Sequence, residues 1–237
     1  MKVFLCGKGK AASNIFGRLI DLNQQVAVFT HPGGEGDSLL TQAARLGHWK
    51  TIQSVNETAY WPWMPDLIVS CGYLYILDGQ TLHLAHGKAI NCHYSLLPKH
   101  RGRSSVPWAI FDGDERTGIT WHWIDEGIDT GRMLTWAATR IEPDETQATL
   151  FDKLHVLATV YFDIAWSMAV RGEHGFEQQG EASHHRSGPP CGGVIDSAWP
   201  DDKVERFIRA MTYPPLPYAR LNGQTIRTME DYWSARR

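Results

Sequence analysis

A chain of 237 residues suffices for one large domain, or a main domain with a small annex, and buries a sizeable core without disulfide or metal staples. Hydrophobic residues at 43% and charged residues at 21% exclude a disordered or fibrous chain, and a formal net charge of -3 argues against a nucleic-acid binder that works by broad phosphate neutralisation. The ten tryptophans read mainly as core rings, with stacking on a flat ligand as the alternative.

In chain order, Lys2–Cys6 predicts a strand, Gly7-Lys8-Gly9-Lys10 a loop and Ala11–Asn23 a helix, since Ile15, Leu19, Ile20 and Leu22 recur at helical spacing. Gln25–Thr30 predicts a second strand, His31–Asp37 a loop, and Ser38–Leu46 a helix capped by Asp37 or Ser38. Asp66–Cys71 and Lys88–Cys92 are further apolar strands. Strands alternating with helices predict a parallel sheet wound by right-handed crossovers. Beyond residue 116, Gly118–Ile124 and Met133–Ile141 are strand-like around an acidic, glycine-containing loop, and Gln147–Val170 reads as one long helix. Arg171–Pro200 reads as loops, Lys203–Met211 as a short helix, and Asn222-Gly223 as the turn of a hairpin within Tyr218–Thr228. The expected fold class is α/β with a small C-terminal annex of a helix and a β-hairpin, divided as 1–175 and 176–237. Cys6, Cys71, Cys92 and Cys191 form no C-x-x-C pair and are expected to be reduced. With no leader pattern and no apolar run of about 18 residues, a soluble, cytoplasmic protein is expected.

Three constellations carry chemistry. Gly7-Lys8-Gly9-Lys10, between strand and helix, suits either an anion at a helix N-terminus or a tight turn with two solvated lysines. It is neither a full G-x-G-x-x-G nor a phosphate-binding loop of the G-x-x-x-x-G-K-[ST] type. Residues two apart on a strand face the same way, so Asn91 and His93 project together while Cys92 points to the other face. A carboxamide beside an imidazole suits oxyanion stabilisation with proton handling, although a strand-end histidine also serves as plain structure. Lys99-His100-Arg101 follows in a proline-ended loop. The third constellation, Asp125 to Gly131, is a loop able to hold a carboxylate partly buried, or simply an acidic turn.

Asn91-x-His93-x-Ser95-Leu96-Leu97-Pro98-x-x-Arg101-Gly102, followed by Gly118-Ile119-Thr120 and Asp125-x-Gly127-Ile128-Asp129-Thr130-Gly131, resembles the signature of the N10-formyltetrahydrofolate-dependent formyltransferases. The resemblance spans about residues 2–170 and is most specific between 89 and 131. It implies a Rossmann-like formyltransferase domain, N10-formyltetrahydrofolate as co-substrate, no metal, and a catalytic trio at Asn91, His93 and Asp129. It further implies a folate seat between the loop carrying Tyr73, Leu74, Tyr75 and Ile76 and the loop carrying Asp125, Gly127 and Ile128, although Tyr73 and Tyr75 also suit the core.

For the formyl acceptor, methionyl-tRNA formyltransferases lead one to expect a longer chain with a basic C-terminal domain, and glycinamide ribonucleotide enzymes normally end near the long helix. The nucleotide-sugar N-formyltransferases are resembled more closely, in His93 to Lys99 and in Phe207-Ile208-Arg209-Ala210 followed by Tyr213-Pro214-Pro215. That resemblance implies a nucleotide-linked amino sugar, such as a dTDP-4-amino-4,6-dideoxyhexose of O-antigen synthesis, met by Lys8, Lys10, Tyr94, Ser95, Lys99, Arg101, Arg209 and Tyr213. Hydroxyornithine, glycinamide ribonucleotide or a carrier-bound amino acid are alternative acceptors. A homodimer is expected, and neither nucleic acid nor membrane as partner. Arg132, where many relatives are acidic, Trp61/Trp63 and the Pro189–Gly193 loop have no assigned counterpart.

Overall fold

The computed structural model describes residues 1–31, 35–214 and 216–236. Its first half alternates strand and helix: β1 Lys2–Gly7, α1 Gly9–Asp21, β2 Gln25–Phe29, α2 Glu35–Arg45, β3 Trp49–Thr51, β4 Leu67–Cys71, α3 Gly79–Leu84 and β5 Ala89–His93. Then follow β6 Arg101–Gly102, α4 Ser105–Asp112, β7 Arg116–Trp123, β8 Met133–Arg140, α5 Gln147–Val160 and α6 Phe162–Val170. The chain closes with β9 His184–His185, α7 Asp201–Ala210, β10 Ala219–Leu221, β11 Gln224–Ile226 and α8 Met229–Arg236.

Seven strands form one sheet in the order β3-β2-β1-β4-β5-β7-β8. The pairs from β3 to β5 are parallel, as the alternation predicts, whereas β7 runs antiparallel to β5. Strands β1 and β4 are apolar on both sides because both faces of a wound parallel sheet are covered: Val3, Phe4, Leu5 and Cys6 are wholly buried. One core cluster joins Phe4, Phe29, Val55, Ile68 and Leu82, with Trp49, Trp61, Trp63 and Tyr73 packed against it. Trp61 and Trp63 thus have a structural place. Burial raises the Cys6 and Cys92 thiols well above their ordinary range, so both remain inert thiols.

Several boundaries differ from the pattern reading. Helix α2 starts at Glu35, so Ser38 lies inside it and does not cap it; the side chain of Asp37 and the loop residues 32–34 lie outside the described residues. The single long helix is two, broken at Tyr161. Strands β3, β6 and β9 and helices α3, α4 and α8 were not foreseen, being too short or too uniformly apolar for periodicity to show. The hairpin turn is as expected: Asn222 and Gly223 both take left-handed backbone, at φ 50° and 80°, as a type I′ turn requires.

By contact the chain forms two compact units, Met1–His93 with Thr120–Trp136 and His155–Gln179, and Tyr94–Ile119 with Ala137–Leu154 and Gly180–Arg237. In the second unit, α4 and α7 pack through Phe111 and Phe207, whose ring centroids are 5.2 Å apart, with Lys203 over the rings of Phe111 and Trp199. Among the described residues, no helix is long and apolar enough to cross a membrane.

Candidate active site

The first unit brings Asn91, His93 and Asp129 together. The β5 pleat places Asn91 and His93 on one face, and the antiparallel register sets Asn91 opposite His122 of β7. Because β7 is antiparallel, the loop after it leaves beside the start of β5, with Ile124 N–H donating to Ala89 O, and folds back over that strand. Asp129 Oδ2 then lies 3.4 Å from His93 Nδ1, and Asp129 Oδ1 lies 3.5 Å from Asn91 Nδ2. His93 is buried and the Asp129 side chain is only 13% exposed, so this carboxylate meets the imidazole largely out of water.

His122 is a member of the cluster that motif reading missed. Its Nδ1 lies 2.7 Å from Trp123 O, an acceptor, so that nitrogen carries the proton in the neutral ring. Nε2 therefore accepts from Asn91 Nδ2 at 3.2 Å, which orients the Asn91 amide with its NH2 toward His122 and Asp129. Its signal lay in Trp121-His122-Trp123: alternation puts His122 on the face opposite the two tryptophans. Trp121 is fully buried and donates to Ala158 O, and Trp123 donates to Glu173 O, so both rings are framework, as expected.

The Asp129 loop is held on every side. Trp123 N–H donates to Arg132 O and closes its base. Asp125 Oδ1 accepts from Gly127 N and Thr130 Oγ1, at 3.1 and 2.6 Å. Gln178, also unforeseen, donates from Nε2 to Asp129 O and Gly131 O at 2.8 and 2.9 Å. Arg132 pairs with Glu177 and donates to His174 O and Gly175 O, which accounts for its basic character. Asp129 itself sits at φ 52°, a left-handed conformation that these contacts impose. A Cβ at Gly131 would stand 1.8 Å from Trp123 O. Gly131→Ala is therefore expected to lower stability by about 1–3 kcal/mol and to displace Asp129, read as a fall in the thermal midpoint together with lost activity.

The remaining expected contacts divide by environment. Leu74, Tyr75, Ile76 and Ile128 are exposed apolar side chains, whereas Tyr73 is half-buried, its hydroxyl accepting from Val55 N–H. Burial, and after it the nearby Cys6 thiol, raises the Tyr73 phenol. In the β1–α1 turn Lys8 is half-buried and Lys10 exposed. Gly7 has a packing reason there, a Cβ being 2.4 Å from Cys71 O. In the second unit Ser95 is buried and its hydroxyl donates to Lys99 O, shaping the loop. Tyr94 and Tyr213 both pack on Phe151, at 5.7 and 5.0 Å, and Pro215 lies outside the described residues. Arg209 bonds Glu205 and Glu145 O, so its guanidinium is engaged inside the unit. Lys99 pairs with Asp114, and half-buried Arg101 forms β6.

Among the described residues, His100, Asp112 and His185 are the group whose ligand atoms gather closely enough for a metal, within 4.8 Å of one another. The two imidazole nitrogens, however, face one another at 2.7 Å with ring centroids 5.0 Å apart and planes at 23°. That is head-on hydrogen-bond geometry; zinc, bound at about 2.0–2.1 Å, would need the nitrogens roughly 3.3 Å apart. Burial, and after it the neighbouring His100 and His184, pushes His185 down to about 4, so its ring is neutral at physiological pH.

A strand-borne Asn–His pair with a loop carboxylate turned onto it offers N–H donors for a developing oxyanion and a group able to take up a proton. The sequence matches the formyl transferase family over residues 38–162. It is 34% identical to a GDP-perosamine N-formyltransferase of Brucella melitensis, over 93% of this chain and 88% of that one. It is also 36% identical to a methionyl-tRNA formyltransferase of Agathobacter rectalis, over 100% of this chain and 80% of the other. In fold it is similar to an N-formyltransferase from Helicobacter canadensis in complex with folinic acid and dTDP-3-aminofucose, with a TM-score of 0.80 at 20% identity, over 96% of this chain and 86% of that chain. The chain belongs to the formyl transferase family and is an N-formyltransferase.

Proposed function

We propose that this enzyme moves the formyl group of N10-formyltetrahydrofolate to the amine of a nucleotide-linked amino sugar. The observation that carries the reading is the meeting of Asn91, His93 and Asp129 on one strand face in a chain so similar to a GDP-perosamine N-formyltransferase. The neutral amine attacks the formyl carbon, forming a C–N bond and a tetrahedral oxyanion; collapse breaks the bond to N10 of the folate. With Asp129 accepting from its Nδ1–H, His93 as an imidazolium turns Nε2–H to the reacting oxygen as a donor, and Asn91 Nδ2 offers a second N–H, held only loosely at 3.5 Å from Asp129. The carboxylate of Asp129 takes the proton lost by the amine, directly or through water, for delivery to N10. The exposed Leu74, Tyr75, Ile76 and Ile128 suit the flat face of a pteridine, and Lys99 and Arg101 suit a diphosphate. This chemistry requires neither nucleic acid nor membrane, and suits an enzyme working in the cytoplasm.

A second acceptor is favoured by one observation, the 36% identity to a methionyl-tRNA formyltransferase. An assay with N10-formyltetrahydrofolate against GDP-perosamine, dTDP-4-amino-4,6-dideoxyhexoses, glycinamide ribonucleotide and methionyl-tRNA decides between them. Turnover with an amino-sugar nucleotide at least tenfold above the others is expected; turnover confined to methionyl-tRNA would reverse the assignment.

A further inference from the structure

The Lys99–Arg103 segment is an unusually constrained cationic stretch. His100, Gly102 and Ser104 all have left-handed backbone, at φ 57°, 87° and 62°, a conformation that non-glycine residues hold only when surroundings impose it. Those surroundings are residues 183–185. His100 N–H donates to Ser183 Oγ and Arg101 N–H to Ser183 O, each at 2.8 Å, and Arg103 N–H donates to His185 O at 3.1 Å. The approach is so close that a Cβ at Gly102 would lie 2.3 Å from His185 O.

The side chains add a continuous polar chain. Asp114 Oδ2 lies 2.8 Å from His100 Nε2 and, as a carboxylate, can only accept, so His100 Nε2 carries a proton. In the neutral ring His100 Nδ1 then accepts, and His185 Nε2 donates to it across 2.7 Å. The other carboxylate oxygen, Asp114 Oδ1, accepts from Lys99 Nζ. His185 is held flat against Trp108, with centroids 4.3 Å apart and planes at 9°. A single run of hydrogen bonds thus extends from His185 through His100 and Asp114 to the ammonium of Lys99. It fixes the ring, the carboxylate and the lysine together, and Arg101 is the next residue along the same backbone.

We propose that His185 is a positioning residue for substrate: its hydrogen bond to His100 holds the Lys99–Arg103 segment in the form that presents Lys99 and Arg101 to the diphosphate of the nucleotide sugar. The inference rests on the reading that this segment meets the substrate. His185 touches no reacting atom and acts through His100. Its loss therefore weakens nucleotide binding and leaves the folate unaffected.

Calorimetric titration with GDP, dTDP and folinic acid tests this in wild type, His185→Phe, His185→Gln and Arg101→Met. Phenylalanine keeps the flat ring on Trp108 but removes the donor; glutamine supplies an amide N–H in place of Nε2. The expected result is a Kd for the bound nucleoside diphosphate raised about three- to tenfold in His185→Phe, the worth of one hydrogen bond. It returns to within about twofold of wild type in His185→Gln, with folinic acid binding unchanged in both. If Arg101→Met weakens the nucleotide while His185→Phe does not, the segment binds substrate but His185 does not position it. If His185→Phe and His185→Gln weaken both ligands alike, the residue is merely structural and the proposal is overturned. If Arg101→Met leaves nucleotide binding unchanged, or wild type binds neither nucleotide, the reading of the segment as a substrate contact falls and the proposal with it.

Discussion

Replacing His93 with alanine is expected to lower kcat for formyl transfer by about 10²–10⁴-fold, the range for losing a positioned proton donor at a developing oxyanion. The imidazole is buried on the β5 face with Nδ1 turned to Asp129, and the proposed mechanism uses the opposite nitrogen. The framework does not depend on it: the antiparallel pairing of His93 with Thr120 is made by backbone groups, which alanine keeps. Folinic acid should therefore bind within about threefold of wild type by calorimetry, an equilibrium that involves no proton transfer. A kcat within threefold of wild type would remove His93 from the chemistry altogether.

Asp129→Asn should cost a similar 10²–10⁴-fold in kcat while the thermal midpoint hardly moves. Asparagine has the same shape and tolerates the left-handed φ of 52°, and Gln178 bonds only the backbone carbonyl at this position. What changes is the proton inventory. A carboxylate accepts a proton and favours the His93 imidazolium, in which Nδ1 and Nε2 both carry protons; an amide does neither, and leaves the ring without the counter-charge that keeps Nε2–H a donor. A structural role alone would reverse this pattern, with stability lost and kcat retained. The contrast with Gly131→Ala is informative, because there backbone overlap with Trp123 O makes stability fall along with activity. Two substitutions two residues apart thus separate chemistry from scaffold.

Much of the site was legible in the chain. Period-two strand geometry put Asn91 and His93 on one side before any fold was known, and the resemblance to the formyltransferase signature singled out the 125–131 loop. The partners of those residues were not legible, because they depend on which strands are neighbours and in which direction. His122 joins Asn91 only through the antiparallel β5–β7 register, and Gln178 reaches the loop from a stretch that carries no periodic signal. For Ser95 and Arg209 the internal partners were not legible either: the hydroxyl bonds a nearby carbonyl, and the guanidinium bonds a carbonyl and a carboxylate within its own unit. Polar groups that fold inward must find partners there, and sequence does not tell which ones do.

Length, near-neutral charge and ordinary composition by themselves determined an enzyme-sized globular chain, and the alternation of strand and helix patterns made it α/β. Local pattern added the parallel strands, the glycine turns and the type I′ hairpin, since each depends on residues a few positions apart. Only the tertiary structure decided that β7 turns against the sheet direction, that its loop folds back to set Asp129 beside His93, and that His185 closes on His100. The residues in these contacts are up to 85 positions apart. Such pairings follow from burying both sheet faces and satisfying every inward polar group at once, a condition on the whole chain that no local window contains.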